Sequence, residues 1–396
     1  MLNRTEDLPV KGRFEVKSVE EKTKLENRGL QALESRVIQK DLCTSCGACL
    51  SLCPYLQSWQ GRLVKLDNCD LAEGRCFAHC PRTHVDLETI HQEVFGQKYL
   101  DVEIGLFKQV KMVRASSPDF RKKSQTSGVV SALMEFALRQ GFIHGAVLTH
   151  RSADHLPHGR VIRRAEEILS CAGSSYVAGP TLQALNQGPW EDTERIGVVG
   201  TPCQVIATRK MRLSSLKKSA FMDRVTLVVG LFCTWALTYE PFMNYLKTRV
   251  NGARIQKLDI TPPPERLLKV IADDGHSWDV PIDEIRAFIR KTCGICLDMT
   301  SELSDLSVGT VEGIQGWNTV ITRSGLGEEI LSRAEAAGVV ESRPLPEENL
   351  KHLKEASLLK KRKALLTLKE RGELEDGYII LSRELITRIL SEAQES

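Results

Sequence analysis

Cys43, Cys46, Cys49 and Cys53 stand in the stretch CTSCGACLSLCP (43–54) in the order C-x2-C-x2-C-x3-C-P. Two-residue gaps let a tight turn aim three thiolates at three irons of one cube, while the fourth cysteine, followed by Pro54, points to a second site. Gly47 permits the close backbone approach that such a turn needs. Structural zinc is the competing chemistry, but it favours paired C-x2-C knuckles set far apart and has no use for three closely spaced thiolates. The run therefore reads as an iron–sulfur motif.

A second copy starts in NCDLAEGRCFAHCP with Cys69, Cys76 and Cys80, followed by Pro81. By the exchange rule of two-cluster ferredoxins, Cys80 completes the set of Cys43, Cys46 and Cys49, and Cys53 crosses over in return. The second site is then left with Cys53, Cys69 and Cys76, because the position expected for its middle ligand falls near Ala72 or Glu73. Three outcomes stay open: a three-iron cluster, a four-iron cluster with an oxygen donor such as Glu73 or Asp70, or a degenerate half with Cys69 and Cys76 as buried thiols. A thiolate replaced by carboxylate, or a lost iron, would shift the potential of this site and suit it to one electron partner.

A chain of 396 residues is long enough for two or three domains and can bury a core without covalent staples. Its 12 cysteines therefore need another purpose. The polar start MLNRTEDLPVKGRFEV has no secretory pattern, so a cytoplasmic protein with reduced thiols is expected, either free or at the cytoplasmic face of a membrane complex. The longest apolar run, VTLVVGLFCTWAL (225–237), is shorter than the ~20 residues a membrane span requires. A net charge of +3 gives no basic field for nucleic acid, and 42% hydrophobic content excludes general disorder.

These cysteines must be positioned by surrounding elements. Residues 18–40 have helical composition and lead into the first motif. From about residue 108, apolar strands (VKMVRAS, GAVLTH, RIGVVG, VTLVVGLFC) alternate with helical stretches (GVVSALMEFALRQ, PTLQALNQ, PCQVIATRKMR), the pattern of an α/β region. LLKVIADDG and SWDVPI read as a hairpin with an Asp-Gly turn, followed by a helix in PIDEIRAFIR. Beyond about 345 the sequence is helical and basic, and its charge run reads as a solvated helix face or a docking surface.

Five segments in order resemble the coenzyme F420-reducing hydrogenase and dehydrogenase beta-subunit family: SQTSGVVSALMEFALRQGFIHGAVL (124–148), AGSSYVAGPTLQAL (172–185), IGVVGTPCQVIATRK (196–210), VGLFCTWALTYEPF (229–242) and CGICLDMTSELSDLSVGTVEGIQGWNTVITRSGLGEEIL (293–331). The family also includes plant hydroxymethyl chlorophyllide reductase and formate dehydrogenase beta subunits, so the resemblance does not fix the substrate. It implies an α/β flavin-binding core over 106–340, preceded by a ferredoxin-like segment over 1–105 carrying two 4Fe-4S clusters and followed by a helical extension over 341–396. It implies FAD, which takes a hydride from reduced F420 and releases single electrons to iron–sulfur clusters, and it implies partner subunits in a redox complex. The alternative is an F420-independent subunit, linked to ferredoxin or NAD(P)H, of a hydrogenase, formate dehydrogenase, heterodisulfide-reductase-like or complex-I-like assembly. A structural zinc protein is the third class, and a colourless preparation would favour it.

The resemblance further implies a 4Fe-4S site beside the flavin from Cys203, Cys233, Cys293 and Cys296; spacing alone leaves zinc or unliganded thiols open. Cys171 reads as a buried thiol. For the flavin, Ser124, Thr126, Ser127 and Gly128 precede a helix whose free amides favour phosphate, though an ordinary N-cap reads the same way. Gly173, Ser174, Ser175 and Tyr176 form a second candidate loop. Thr201 and Gln204 flank Cys203 near the expected ring edge, and Gly316, Trp317, Asn318 and Thr319 could stack on or bond to it. No G-x-G-x-x-G opens a βαβ unit, so a Rossmann site has no support. Lys111, Arg114, Arg121, Lys122, Lys123, Arg160, Arg163 and Arg164 are candidates for phosphate or an acidic F420 tail. Asp298, Glu302 and Asp305 are expected to orient backbone or a loop.

Overall fold

The structure is a computed structural model that describes residues 27–191, 193–216, 224–261 and 265–391. Its centre is an eight-stranded mixed sheet. In chain order the strands are β1 (Gln109–Ala115), β2 (Gly145–Arg151), β3 (Pro157–Ile162), β4 (Ile196–Gly200), β5 (Val225–Leu231), β6 (Leu306–Thr310), β7 (Asn318–Thr322) and β8 (Val340–Pro344). They lie side by side as β8-β1-β7-β6-β5-β4-β2-β3. The middle four, β6, β5, β4 and β2, are parallel, and antiparallel pairs close both flanks. Parallel strands are covered on both faces, which explains why IGVVG is buried at every position and the strand in VTLVVGLFC is apolar except at Thr226. The four expected strands are present. β3, β6, β7 and β8 are additional to them, because their polar residues hide the alternation.

Helices α1 (Val129–Arg139), α2 (Thr181–Gln187) and α3 (Pro202–Leu213) match the expected stretches. α3 starts from a Thr201–Gln204 capping box with proline in its first turn, a pre-organised start that places Cys203 where β4 ends. A separate three-stranded antiparallel sheet (Ile255–Ile260, Leu267–Ala272, Ser277–Pro281) contains the expected hairpin, turning at Gly275 with φ +88°. The helix expected in PIDEIRAFIR is cut short. It runs only over Ile282–Ile285 with one further turn, because Ile289 leaves to bridge Leu237 and Arg290 N donates to Ala236 O.

The cysteine-rich segment is short-element structure: a hairpin (Leu56–Trp59 with Arg62–Lys65), one turn at Arg75–Ala78 and a helix at Leu87–Phe95. Of the helix expected over 18–40, residues 18–26 lie outside the described residues, and 30–38 form one α turn running into a π-helical turn. Leu33, Leu50, Leu56 and Phe77 of this segment share one core with Leu182 and Val205 of α2 and α3. The long helix α4 (Glu347–Glu370) joins the same core through Leu358, Ala364, Leu365 and Leu368. After it, Ile379 and Ile380 pair parallel with Val85 and Asp86, and the Tyr378 hydroxyl donates to Ile295 O at 2.7 Å.

The basic run of α4 is solvated only in part: Lys351, Lys363 and Lys369 are exposed, whereas Lys361 points inward. Lys361 is 1% exposed and forms an ion pair with Glu302, which also accepts from the Tyr99 hydroxyl. A buried pair of this kind contributes little in net, but removing one partner strands a charge in the interior. Lys361→Met should therefore lower stability by ~3–5 kcal/mol in denaturant unfolding; a loss below ~1 kcal/mol would mean that Glu302 is not held by this lysine.

Candidate functional site

Cys43, Cys46, Cys49 and Cys80 line one small cavity of about 30 Å³. Burial pushes the Cys49 thiol well up, and Cys43, Cys46, Cys80 and Cys76 push it further. Burial likewise raises Cys80 to about 11, against the pull of Lys210. Ser45 N and Arg82 N point at the Cys43 and Cys80 sulfurs at 3.4 Å each. Gly47, with φ +88°, leaves no room for a Cβ, which would stand 2.6 Å from Pro180 O. That close approach lets α2 grip the turn, with Asn186 Nδ2 donating to Ala48 O and Leu50 O at 3.0 and 2.8 Å.

Cys53, Cys69 and Cys76 form the second set. Burial raises Cys76 to about 11, and Cys53 and Cys69 add to it. Glu73 and Asp70 are both exposed, and neither is among the leading charges felt by Cys76. The segment is tied to Arg28, which bridges Glu73, with Arg28 N donating to Ala72 O and Gly74 N to Arg28 O. Glu73 is solvent-exposed while Cys76 is buried.

The third set lies at the carboxyl ends of the parallel strands, where open α/β sheets place their ligands. Cys203 opens α3 after β4, Cys233 follows β5, and Cys293 and Cys296 belong to a turn ahead of β6. All four line a cavity of about 1020 Å³. Burial is the largest influence on each, and Cys203, Cys293 and Cys296 all act on Cys233. Cys296 is the exception in direction: burial raises its thiol, yet Lys360 and Arg82 pull it below the ordinary cysteine value. Ala236 N points at the Cys293 sulfur at 3.3 Å.

Thr44 lines both cavities, and its hydroxyl lowers both Cys46 and Cys203. Arg290 spans the same gap, donating to Cys43 O at 2.7 Å. Among the described residues, no three His, Cys, Asp or Glu close round a single metal ion. A cube differs in that each thiolate takes its own iron. Grouped buried thiols, amides aimed at sulfur and nearby cations form a donor set that fits such clusters.

The large cavity also gathers most of the expected flavin residues. Ser124, Thr126 and Gly128 at the start of α1, the loop 173–176, Thr201, Gln204, Gly316, Asn318 and Thr319 all line it. Gly173 has φ +105°, and a Cβ there would stand 2.6 Å from Arg151. Gln204 is engaged in its own scaffold, accepting from Thr201 N at 2.9 Å and donating to Gly179 O at 3.1 Å. Tyr176 accepts through its hydroxyl from Ile260 N at 2.8 Å, tying the small sheet to the cavity wall.

Two expected residues do not reach the cavity. Ser127 is wholly buried and bonds to Val113 O and the Asn318 side chain. Trp317 packs with Met112 and Val311, and the guanidiniums of Arg114 and Arg343 lie 4.7 and 4.8 Å from its ring centroid. The expected basic residues also fall elsewhere: Lys111, Arg114, Arg160, Arg163 and Arg164 pair with carboxylates, Arg121 caps Ala115 O, and Lys122 and Lys123 are exposed. The cavity's cations are Arg82, Arg151, Lys269, Arg290 and Lys360, contributed by distant segments. Asp305 accepts from Val228 N and Arg209, and Asp298 from Glu302 N, so both hold backbone. Cys171 is half-buried at the cavity wall.

Comparison with known proteins decides the family. Residues 110–186 match the model for the coenzyme F420 hydrogenase/dehydrogenase beta subunit N-term, and residues 193–348 match that for its C terminus. The chain belongs to this family. It is 29% identical over 277 residues to a coenzyme F420 hydrogenase subunit beta of Methanothermobacter thermautotrophicus, covering 68% of this chain and 97% of the relative. It is 30% identical over 302 residues to an F(420)H(2) dehydrogenase subunit of Methanosarcina mazei, covering 74% and 83%. A chain of the F420-reducing [NiFe] hydrogenase complex from Methanosarcina barkeri superposes with TM-score 0.63 at 29% identity, covering 68% of this chain and 94% of that one. These relatives are oxidoreductase subunits, and this family member is an oxidoreductase too. Among the described residues, no helix is long and apolar enough to cross a membrane.

Two substitutions separate the sulfur sets. Cys203→Ser should remove one cluster's iron and sulfide while the cluster of the Cys43 set stays; full retention of iron would exclude Cys203 as a ligand. Glu73→Ala should leave iron and sulfide content unchanged, and a loss of iron would return Glu73 to the ligands.

Proposed function

We propose that this chain is an iron–sulfur flavoprotein subunit that exchanges a hydride between coenzyme F420 and FAD and passes single electrons through 4Fe-4S clusters to a partner oxidoreductase. The observation that carries this reading is the shared wall: Cys203, Cys233, Cys293 and Cys296 line the same cavity as the start of α1 and the loop 173–176. The relatives named for F420 hydrogenase and F420H2 dehydrogenase support F420 as the two-electron carrier. The hydrogenase complex to which the structural neighbour belongs supports partner subunits.

In this reading the amides at the start of α1, with Ser124 and Thr126, hold phosphate oxygens, helped by the helix dipole. Gly173, Ser174 and Ser175 let backbone lie against the cofactor, and Gly316, Asn318 and Thr319 face it from the β7 side. FAD, when bound, converts between hydride traffic and single-electron traffic. The sulfur sets then follow outward in series: the Cys203 set beside the cavity, the Cys43 set across Thr44, and the Cys53 set through the neighbouring Cys76 and Cys80. The ferredoxin-like part would extend to about residue 105, the flavin core to about 340, and the helical extension beyond.

Anaerobic addition of reduced F420 to the flavin-loaded protein should bleach the flavin absorbance and bring up cluster EPR signals. NADH should do neither. A cluster-replete yellow-brown protein that ignores reduced F420 but responds to NADH or a reduced ferredoxin would replace F420 with that donor.

A further inference from the structure

Lys360 lies on α4, past residue 348 where the family match ends. Its ammonium donates to Cys233 O at 2.6 Å and to Asp298 O at 2.8 Å, and it lines the large cavity. Among the described residues it makes no ion pair with a carboxylate; the contrast is Lys361, one helical step away, which is paired with Glu302. Lys360 is half-buried, and a partly desolvated ammonium is unfavourable without negative groups near it. Burial lowers the lysine, while Cys296, Cys233, Asp298 and Cys293 together hold it above its ordinary value. Its ammonium thus sits against the backbone of Cys233, on the wall that carries all four sulfurs of the third set, with the Asp298 carboxylate as a further negative group acting on it.

We propose that Lys360 is a tuning residue that sets the reduction potential of the cluster held by Cys203, Cys233, Cys293 and Cys296, so that the C-terminal helix is a working wall of the redox site. The inference rests on reading that set as a cluster site. Reduction adds one negative charge to the cluster, and a fixed cation a few bonds away in a poorly screened interior stabilises that added charge. Removing the cation makes the cluster harder to reduce. Arg82 approaches the same sulfurs from the N-terminal segment, stacked on Tyr378 and bonded to Thr292, so part of the positive field stays when Lys360 is neutralised.

The full chain is purified anaerobically as wild type, Lys360→Met, Lys360→Gln, Lys360→Arg and Lys363→Met, and iron, sulfide and flavin are counted first. EPR-monitored redox titration then follows each cluster signal. In Lys360→Met and Lys360→Gln one cluster should show at least a tenfold loss in its reduction equilibrium constant, ~59 mV for a one-electron couple. The other signals should stay in place. Gln keeps donors for both carbonyls, so a purely structural lysine would show no shift in that variant, and Gln decides the question if Met does not retain the cluster. Lys360→Arg should restore most of the potential, and the exposed Lys363→Met should change none. Unshifted potentials in a cluster-replete Lys360→Gln would overturn the proposal. Zinc in the third set of the wild type would overturn the cluster reading on which it stands.

Discussion

Thiols crowded together in a protein interior resist ionising, since burial and mutual repulsion both disfavour the thiolate, and they become stable ligands only when positive charge is shared among them. The rest of this structure is arranged round that constraint. Burial raises Cys46, Cys49 and Cys233 strongly, and each has further sulfurs beside it. Amides from Ser45, Arg82 and Ala236 point at sulfur, and buried Arg82 and Lys210 with half-buried Lys360 surround the sets. Lys210 itself is lowered to about 8 by burial, against the pull of Cys80 and Cys46. Positive charge placed this way suits iron–sulfur cores, whose thiolate ligands leave them net negative.

The fold supplies the positions. Four parallel strands end on one side of the sheet, so chain segments far apart in sequence deliver Cys203 and Cys233 to one wall. Gly309 lets Phe232 lie flat against β6, where a Cβ would come within 1.8 Å of its ring, and this fixes the residue before Cys233. α2 holds the first cysteine turn by its backbone, and α3 carries Cys203 at its start and Lys210 near its end, joining two sulfur sets through one rigid element. The segment after α4 closes the arrangement by pairing with Val85 and Asp86 next to the second motif.

Much of this is legible in the residues. Spacing and Pro81 assign Cys80 to the first set because a tight turn leaves few places for its sulfur, and Cys80 lines one cavity with Cys43, Cys46 and Cys49. The Ser/Thr-rich start of α1 is legible from capping chemistry. The pairing of Glu73 with Arg28 is not legible from spacing, because it joins the second motif to a segment forty-five residues away. Ser127 and Trp317 turn away from the cavity while their neighbours Thr126, Gly128, Gly316 and Asn318 line it, a distinction set by tertiary packing. Lys360 and Arg82 carry no local signal at all; a basic helix reads as solvated until its packing partner is known. The short helix after Pro281 departs from expectation for the same reason, since a tertiary bridge to Leu237 outweighs local propensity.

The most direct measurement is Mössbauer spectroscopy with metal and sulfide analysis on the anaerobically purified full chain. The expected result is iron confined to iron–sulfur clusters, with two cubes bound by four thiolates and a third species distinguished by its three cysteines. Zinc in place of iron, or thiols free to react with a thiol reagent in the native protein, would contradict the claim that these sulfur sets are built for electron transfer.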